Sequence, residues 1–367
     1  MVQISRYQLV LMLIWTVLGT GIVTMPGTIA QFTLRDAWVS SMGLVLGAVL
    51  CAAIAWVHVR LFPGRTLTQA AIDVLGPAWG RAYGVWYIVY GIITTATIGR
   101  ELSAFIGISV LPNTPDNLVS AIAFAVSMYL AYLGIEVVAR VNEFILPLAA
   151  LVSPVLFLLS VRLFDPSALE PILGDPASAA WRGAVVPAFA YGLEFSIALQ
   201  WTPALRSPRT LPVDILLAGA ISALVLSTLV VLTVGALGEP TRYLNYPVLE
   251  LARAIRQGKF VERLDTLYVM GVAITLVLKL SAFQLAVIEA VKDVSASAER
   301  TWIPIPVALL AWSCNNYVFR NVFDVTDFIL RDVPGYFLTT VVLMPIGLYM
   351  LRAVQSRKRA LRRLKRT

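Results

Sequence analysis

The sequence predicts an all-α polytopic membrane protein: ten spanning helices in two inverted halves of five, with the first and sixth helices interrupted. Three observations carry that prediction. Of 367 residues, 59% are hydrophobic and 14% charged. A soluble domain runs about half apolar and a quarter charged, and no soluble fold of this length could hide so much apolar surface. Ten apolar runs of about 20 residues are long enough to cross hydrocarbon as helices. They cover roughly 7–31, 37–60, 82–110, 118–135, 144–163, 182–204, 213–237, 266–291, 303–320 and 334–355. Two of them, the first and the sixth, carry glycine pairs or glycine–proline combinations at membrane depth.

The same composition excludes other classes. Barrel strands would alternate apolar with polar residues, and these runs do not. Disorder, a collagen repeat and a disulfide-stapled scaffold are all inconsistent with 2 Cys, no glycine period and this apolar content. Cys51 and Cys314 lie inside apolar runs and read as small hydrophobes. One histidine, His58, leaves little room for zinc or Ser-His-Asp chemistry. No nucleophile elbow, nucleotide loop or metal cluster is present, so the reading is of a protein that is not an enzyme and needs no cofactor or metal.

Taken in order, the first run has one basic residue and an apolar core, like a secretory signal. Pro26-Gly27 and a further span follow it directly, so it is read as a retained helix. Its break falls at Gly19-Thr20-Gly21, with Met25-Pro26-Gly27 after it. Between the second and third runs, Pro63-Gly64 and Gly76-Pro77 bracket the amphipathic stretch Thr66–Leu75, read as an interfacial helix. The third run sets Tyr90, Thr94, Thr97, Glu101 and Phe105 on one face, which turns that face to the bundle. The sixth run reads Pro187-Ala-Phe-Ala-Tyr191-Gly192-Leu-Glu194. Segment 247–265 opens with Pro247 and places Leu249, Leu251, Ala252 and Ile255 against Glu250, Arg253 and Arg256, a second interfacial helix. On the eighth run Thr275, Lys279 and Phe283 share a face, with Tyr268 farther along. Cys314, Asn315, Asn316, Tyr317 and Arg320, near the end of the ninth run, suit helix–helix hydrogen bonding.

Glycine in a helix interior costs about 1 kcal/mol and proline about 3, so paired interruptions want a reason. The packing alternative is a Gly-x-Gly notch that lets two helices close in. The functional alternative is unwound backbone, tolerated at that depth only against protein or a wet cavity. Spans one and six lie five apart, an odd number, so two five-helix halves (7–163 and 182–355) face opposite ways. Interrupted helices at matching positions of inverted halves mark a transporter-type site, where half-helix ends meet a carboxylate and an ammonium. The expected ligand is an amino acid.

Arg100, Glu101, Glu194, Lys279 and Glu289 are charges within spans, which are costly and mark function or ion pairs. In a two-repeat transporter, the eighth helix borders the place of a coupling sodium. Lys279 is expected to replace that cation or to pair with Glu101 or Glu194; a static pair tying two helices together is the plainer alternative. Arg100 and Glu289 are expected to snorkel toward the membrane edges.

With the N-terminus inside, inner loops and tails hold 17 of the 29 Lys and Arg and outer loops 10. Acids run the other way, 6 inside and 12 outside, so both termini are predicted to be cytoplasmic. The basic tail 356–367 is read as a topology anchor on anionic headgroups, not as a nucleic-acid contact.

Ile4-Ser5-Arg6-Tyr7-Gln8, the Gly19-to-Pro26 stretch and Asp36-Ala37-Trp38-Val39-Ser40 closely resemble the start of bacterial spore-germination receptor B subunits of the GerAB type. The resemblance continues through Glu101–Phe105 and then through Pro247, Glu250, Arg253, Gly258, Phe260, Glu262, Arg263, Leu264 and Asp265. That family belongs to the amino acid–polyamine–organocation permease superfamily. The resemblance implies a LeuT-like fold, a germinant receptor subunit of the spore inner membrane or cell membrane, and partnership with an A subunit and a lipoprotein C subunit. It implies a pocket on Gly19, Thr20 and Gly21, on Thr97 and Glu101, on Tyr191 and Gly192, and at the Lys279 turn. A sodium-type hydroxyl pair at Lys279 is missing from the pattern. A proton-coupled amino acid transporter shares every feature derived from the residues, and gene neighbours or liposome uptake would separate the two; a partner-gated channel is a third reading.

Overall fold

The computed structural model describes residues 3–255, 264–296, 301–319 and 322–364. Arg256, Gly258, Phe260, Glu262, Arg263, Arg300 and Arg320, and Lys365 and Arg366 of the basic tail, lie outside the described residues.

All ten predicted runs contain helix. Helix α1 is Arg6–Ala30, α2 Ala37–Leu61, α3 Leu67–Ser109, α4 Asp116–Leu133 and α5 Ile135–Ser160. They are followed by α6 Ala177–Ala204, α7 Leu211–Leu237, the short α8 Pro247–Ala254 and α9 Leu264–Ser295. Then come α10 Pro304–Tyr317, the short α11 Val322–Arg331 and α12 over 333–364. Among the described residues, eight helices are long and apolar enough to cross a membrane; α10, with 14 residues, falls short of that length. Burial ranks them. The most apolar stretch is 89% buried in α1 and 83% in α6 but only 33% in α4, so α1 and α6 run through the centre and α4 lies at the rim.

The first helix departs from expectation. Helix α1 runs without interruption through Gly19-Thr20-Gly21 and past Pro26. Its glycines are notches. A Cβ on Gly19 would sit 3.2 Å from the Thr275 carbonyl and 3.3 Å from Lys279 side-chain atoms; one on Gly21 would sit 3.0 Å from Leu226 Cδ1. Close approach of α9 and α7 is what these positions supply, so two glycines fit a continuous helix. Pro26 removes one backbone donor. Nearby, the Thr24 and Thr28 hydroxyls donate to the carbonyls four residues back, at 3.2 and 2.7 Å.

The ends of α1 are pinned. Ser5 and Gln8 form a capping box, the Ile4 N–H donates to the Ala204 carbonyl at 2.9 Å, and Arg6 pairs with buried Asp214 at 2.8 Å. The Asp36 of the Asp-Ala-Trp motif accepts the Leu173 and Asp175 amides at 2.8 and 2.9 Å, while Asp175 accepts from the Thr33 hydroxyl and the Leu34 amide. Burial alone would raise the Asp175 carboxyl; these hydrogen bonds prevail and hold it below the usual range.

Both stretches expected to lie at the interface contain a short helix, the second over Pro247–Ala254. Residues 67–75 form the first part of α3, set off by Gly76 at φ 81°. This piece is buried along Leu67, Ala70 and Ala71, so it is a structural wedge. Its start is held by Asp293 at the end of α9, which accepts from Thr66 (2.6 Å), Thr68 and Gln69 (2.7 Å), and from Gln200 of α6 at 3.1 Å. In α8, Pro247 sits at the first turn and Leu249, Leu251 and Ala252 are buried against the end of α1.

Arg100 does not snorkel. It is 7% exposed and pairs with Asp116 at 3.1 Å, because α4 begins directly beside it. Glu289 pairs with Lys292 one turn on, at 3.6 Å. Asn315 and Asn316 bond to each other and Asn316 to the Trp312 carbonyl, whereas Tyr317 is exposed.

Candidate functional site

Helix α6 breaks where the sequence predicts. Its first part, Ala177–Val186, is regular; at Pro187–Tyr191 the bonding widens to i→i+5, with the Gly192 amide donating to the Pro187 carbonyl. From Gly192 to Ala204 it tightens to i→i+3. Runs of that tighter form beyond three or four residues are uncommon, so something outside the helix holds it. Helix α2 does so. A Cβ on Gly47 would fall 2.1 Å from the Ala188 carbonyl and 2.6 Å from the Gly192 Cα, which makes this a contact of bare backbones. Four residues on, the Cys51 thiol donates to the Gly192 and Leu193 carbonyls at 3.6 Å. Two glycines and a small thiol are the side chains that admit an irregular helix at this depth.

Beyond the break, Glu194 turns inward to Lys279 of α9. The Lys279 ammonium lies 2.7 and 2.8 Å from the two Glu194 oxygens and 2.6 Å from the Thr20 hydroxyl of α1. Lys279 is 1% exposed and Glu194 5%. Three N–H donors meet three acceptors, so the ammonium is fully satisfied. The pair ties α6 to α9 with α1 between. Of the two acids proposed for Lys279, the geometry selects Glu194.

Glu101 stands apart. Among the described residues its carboxylate accepts one hydrogen bond, from the Thr24 hydroxyl at 3.3 Å, and has no cation within ion-pair distance. Thr24 also lies 2.7 Å from the Tyr191 hydroxyl, linking α1 to the break in α6. Glu101 is 6% exposed and is flanked by two small hollows. One, about 30 Å³, is lined by Thr20, Thr94, Thr97, Ile98, Glu101, Tyr191 and Glu194, and by Phe328, Ile329, Val333 and Phe337. The other, about 20 Å³, has Thr24, Thr28, Arg100, Tyr246 and Ile329 around it. A water needs roughly 10–15 Å³ by this measure, so each hollow admits one to three waters and neither, as it stands, admits an amino acid. A larger apolar cavity of about 200 Å³ lies between α1, α5, α7, α8 and α9 and contains none of the predicted site residues.

The structure therefore brings Thr20, Thr97, Glu101, Tyr191 and Glu194 around one hollow, with Lys279 behind Thr20 and Glu194. Gly19, Gly21 and Gly192 do not line it; they face α9, α7 and α2. Thr24, Thr94 and the α11–α12 residues are additions. A Thr20/Thr24/Thr28 stripe at i+4 spacing was present to find Thr24. Helix α11 carries Val325, Phe328 and Ile329 opposite Asp324, Asp327 and Arg331, an amphipathic pattern inside what the hydropathy reads as a connection.

The chain matches the family model described as "Spore germination protein" over residues 3–321. It is 24% identical to spore germination protein KB of Bacillus subtilis (strain 168), over 97% of this chain and 96% of that one. It is 23% identical to spore germination protein YndE of the same organism, over 89% and 90% respectively. Among solved structures it resembles MhsT in complex with L-phenylalanine, with TM-score 0.70 and 14% identity over 96% of this chain and 89% of that one. It also resembles Mhp1, a nucleobase-cation-symport-1 family transporter with bromovinylhydantoin bound, with TM-score 0.65 and 12% identity over 95% and 77%. The fold is that of these transporters, the LeuT-like fold.

Proposed function

This chain belongs to the spore germination permease family, and from that membership we propose that it is a membrane-embedded germinant receptor subunit. It binds a small germinant at mid-membrane, in the hollow between α1, α3, α6 and α11, and passes the change of shape to partner subunits. One observation carries the reading. Buried ionisable groups, the irregular stretch of α6 and a small hollow that both of them line converge on the same level of the bundle, as transporter-type sites do.

Thr20, Thr97, Glu101 and Tyr191 face the ligand, and Gly19, Gly21 and Gly192 allow the helices around it to close. Lys279, held by Glu194, stands where a coupling cation would lie between α1 and α9, so occupancy needs no sodium. Residues 7–163 and 182–355 form the two inverted repeats. Both termini are cytoplasmic, the basic tail lies on the inner leaflet, and the membrane is that of the spore. The partners are an A subunit and a lipoprotein C subunit.

The proton-coupled amino acid transporter uses the same architecture. The family's germination role favours the receptor. Purified chain in liposomes decides between them: saturable ligand binding without accumulation of labelled ligand is expected, and concentrative uptake by this chain alone would make it a transporter.

A further inference from the structure

We propose that the apolar cavity behind α1 is a second binding site, one that takes an acyl chain of a bilayer lipid entering sideways between α5 and α9. It stands apart from the hollow at Glu101 and does not depend on what that hollow binds.

The cavity lies where the apolar faces of several helices meet. On α1, Trp15 and Ile22 are seven residues apart and share one face. Ile22 is two residues from Thr20, about 200° around the helix, so this face is turned away from the hollow. Helix α7 contributes Val225 and Leu229 at i+4 spacing, and the amphipathic α8 contributes Val248, Leu251 and Ala252. Helix α9 contributes Leu267, Gly271 and Ile274, again along one face.

Size and polarity set the class of occupant. The cavity holds about 200 Å³; one of about 150 Å³ lined by aliphatic and aromatic residues stays dry and takes benzene. Among the described residues, none that lines it is charged. The Thr275 hydroxyl is spent on the Val272 carbonyl at 2.8 Å. Trp15 Nε1 and the Tyr268 hydroxyl have no hydrogen-bond partner among the described residues, but both atoms are covered by protein. A solute with charged ends finds nothing to hold it there, whereas a hydrocarbon chain finds apolar contact along its length. The mouth says which hydrocarbon. Leu267 and Met270 line the cavity and are also exposed on the surface of the bundle, as is Leu158 next to the lining residue Phe157. A Cβ on Gly271 would meet nothing within 4 Å, so the space beside it is open. In a chain that crosses the membrane, such a surface is bathed by acyl chains, which are as apolar as the cavity wall. The α9 lining runs from Leu267 to Thr275, about 12 Å at 1.5 Å per residue, a length suited to a stretch of chain.

The test is photolabelling of the full-length chain in nanodiscs that contain a phosphatidylcholine with a diazirine in one acyl chain, mapped by mass spectrometry. Exposed Leu158 and Met270 face lipid in any case and serve as the internal standard. Adducts are expected in addition on Leu229, Val248 and Val272, which line the cavity and are buried from the surrounding bilayer. Gly271→Leu and Ala252→Leu each put apolar bulk at the cavity. In both, the adducts on the buried residues should be lost while those on Leu158 and Met270 stay. Should a filled variant fail to fold, the wild-type map decides alone. Wild-type adducts confined to Leu158 and Met270 would mean a dry, empty cavity and would overturn the proposal. So would adducts on Leu229 and Val272 that persist undiminished in both filled variants, since the chain would then reach them by another path.

Discussion

Helices α1 and α6 look alike in sequence and differ in structure. Each crosses the centre of the bundle, and each carries glycine and proline where a helix would rather not. Yet α1 stays regular from Arg6 to Ala30, while α6 loosens at Pro187–Tyr191 and tightens after Gly192. What stands opposite decides the difference. In α1, a Cβ on Gly19 or Gly21 would meet the Thr275 carbonyl and the Lys279 and Leu226 side chains at 3.0–3.3 Å, and one on Gly27 the Leu244 carbonyl at 2.8 Å, so these glycines let neighbours approach a helix that stays regular. Gly192 faces the bare backbone of Gly47, and the nearby carbonyls are taken up by a thiol. The break falls where one glycine meets the bare backbone of another, whereas the α1 glycines meet single carbonyls and side chains and the helix runs on.

The largest effect should come from the ion pair that both helices share. Lys279→Met leaves Glu194 buried without a cation, which should cost about 3–5 kcal/mol of stability. Adding Glu194→Leu should restore most of it. A double variant as unstable as the single one would show that the pair does not link α6 to α9.

Next come the glycines. Gly47→Ala places a methyl 2.1 Å from a backbone carbonyl that cannot yield. About 1–3 kcal/mol of destabilisation or more is expected, with loss of ligand response as α6 is pushed. Gly21→Ala meets only the tip of Leu226 at 3.0 Å, and should cost under about 1 kcal/mol with response intact. Thermal melts of the two side by side sharpen the contrast; equal costs would erase it.

Smaller still is the thiol. Cys51→Ala removes two weak S–H contacts and a little volume, and should cost about 1 kcal/mol, whereas Cys51→Ser, whose hydroxyl reaches the same carbonyls, should cost less. A Cys51→Ala variant as stable as wild type would mean that the α6 carbonyls need no donor from α2.

Much of the fold was legible because hydrocarbon imposes a simple length and polarity rule. The ten helical runs, the two short helices at 67–75 and 247–254, and the buried face of Tyr90, Thr94, Thr97, Glu101 and Phe105 all follow from it. Spacing alone could not say which carboxylate meets Lys279: Glu101 and Glu194 lie on different helices, and their rotation is set by tertiary packing. Nor could it tell a notch from a break, since Gly19-Thr20-Gly21 reads identically in both. Arg100 was misjudged because Asp116, its partner, belongs to another helix. The α11 wall was missed because ten residues of mixed polarity look like a connection until both faces are plotted.

The Lys279 ammonium is proposed to stand in for a coupling cation between α1 and α9. The melting temperature of the full-length chain in sodium chloride, against N-methylglucamine chloride at equal ionic strength, tests this directly. Identical melting temperatures are predicted for the wild type, because the position is already filled by a charge held at 2.6–2.8 Å. A saturable rise in melting temperature with sodium would contradict it.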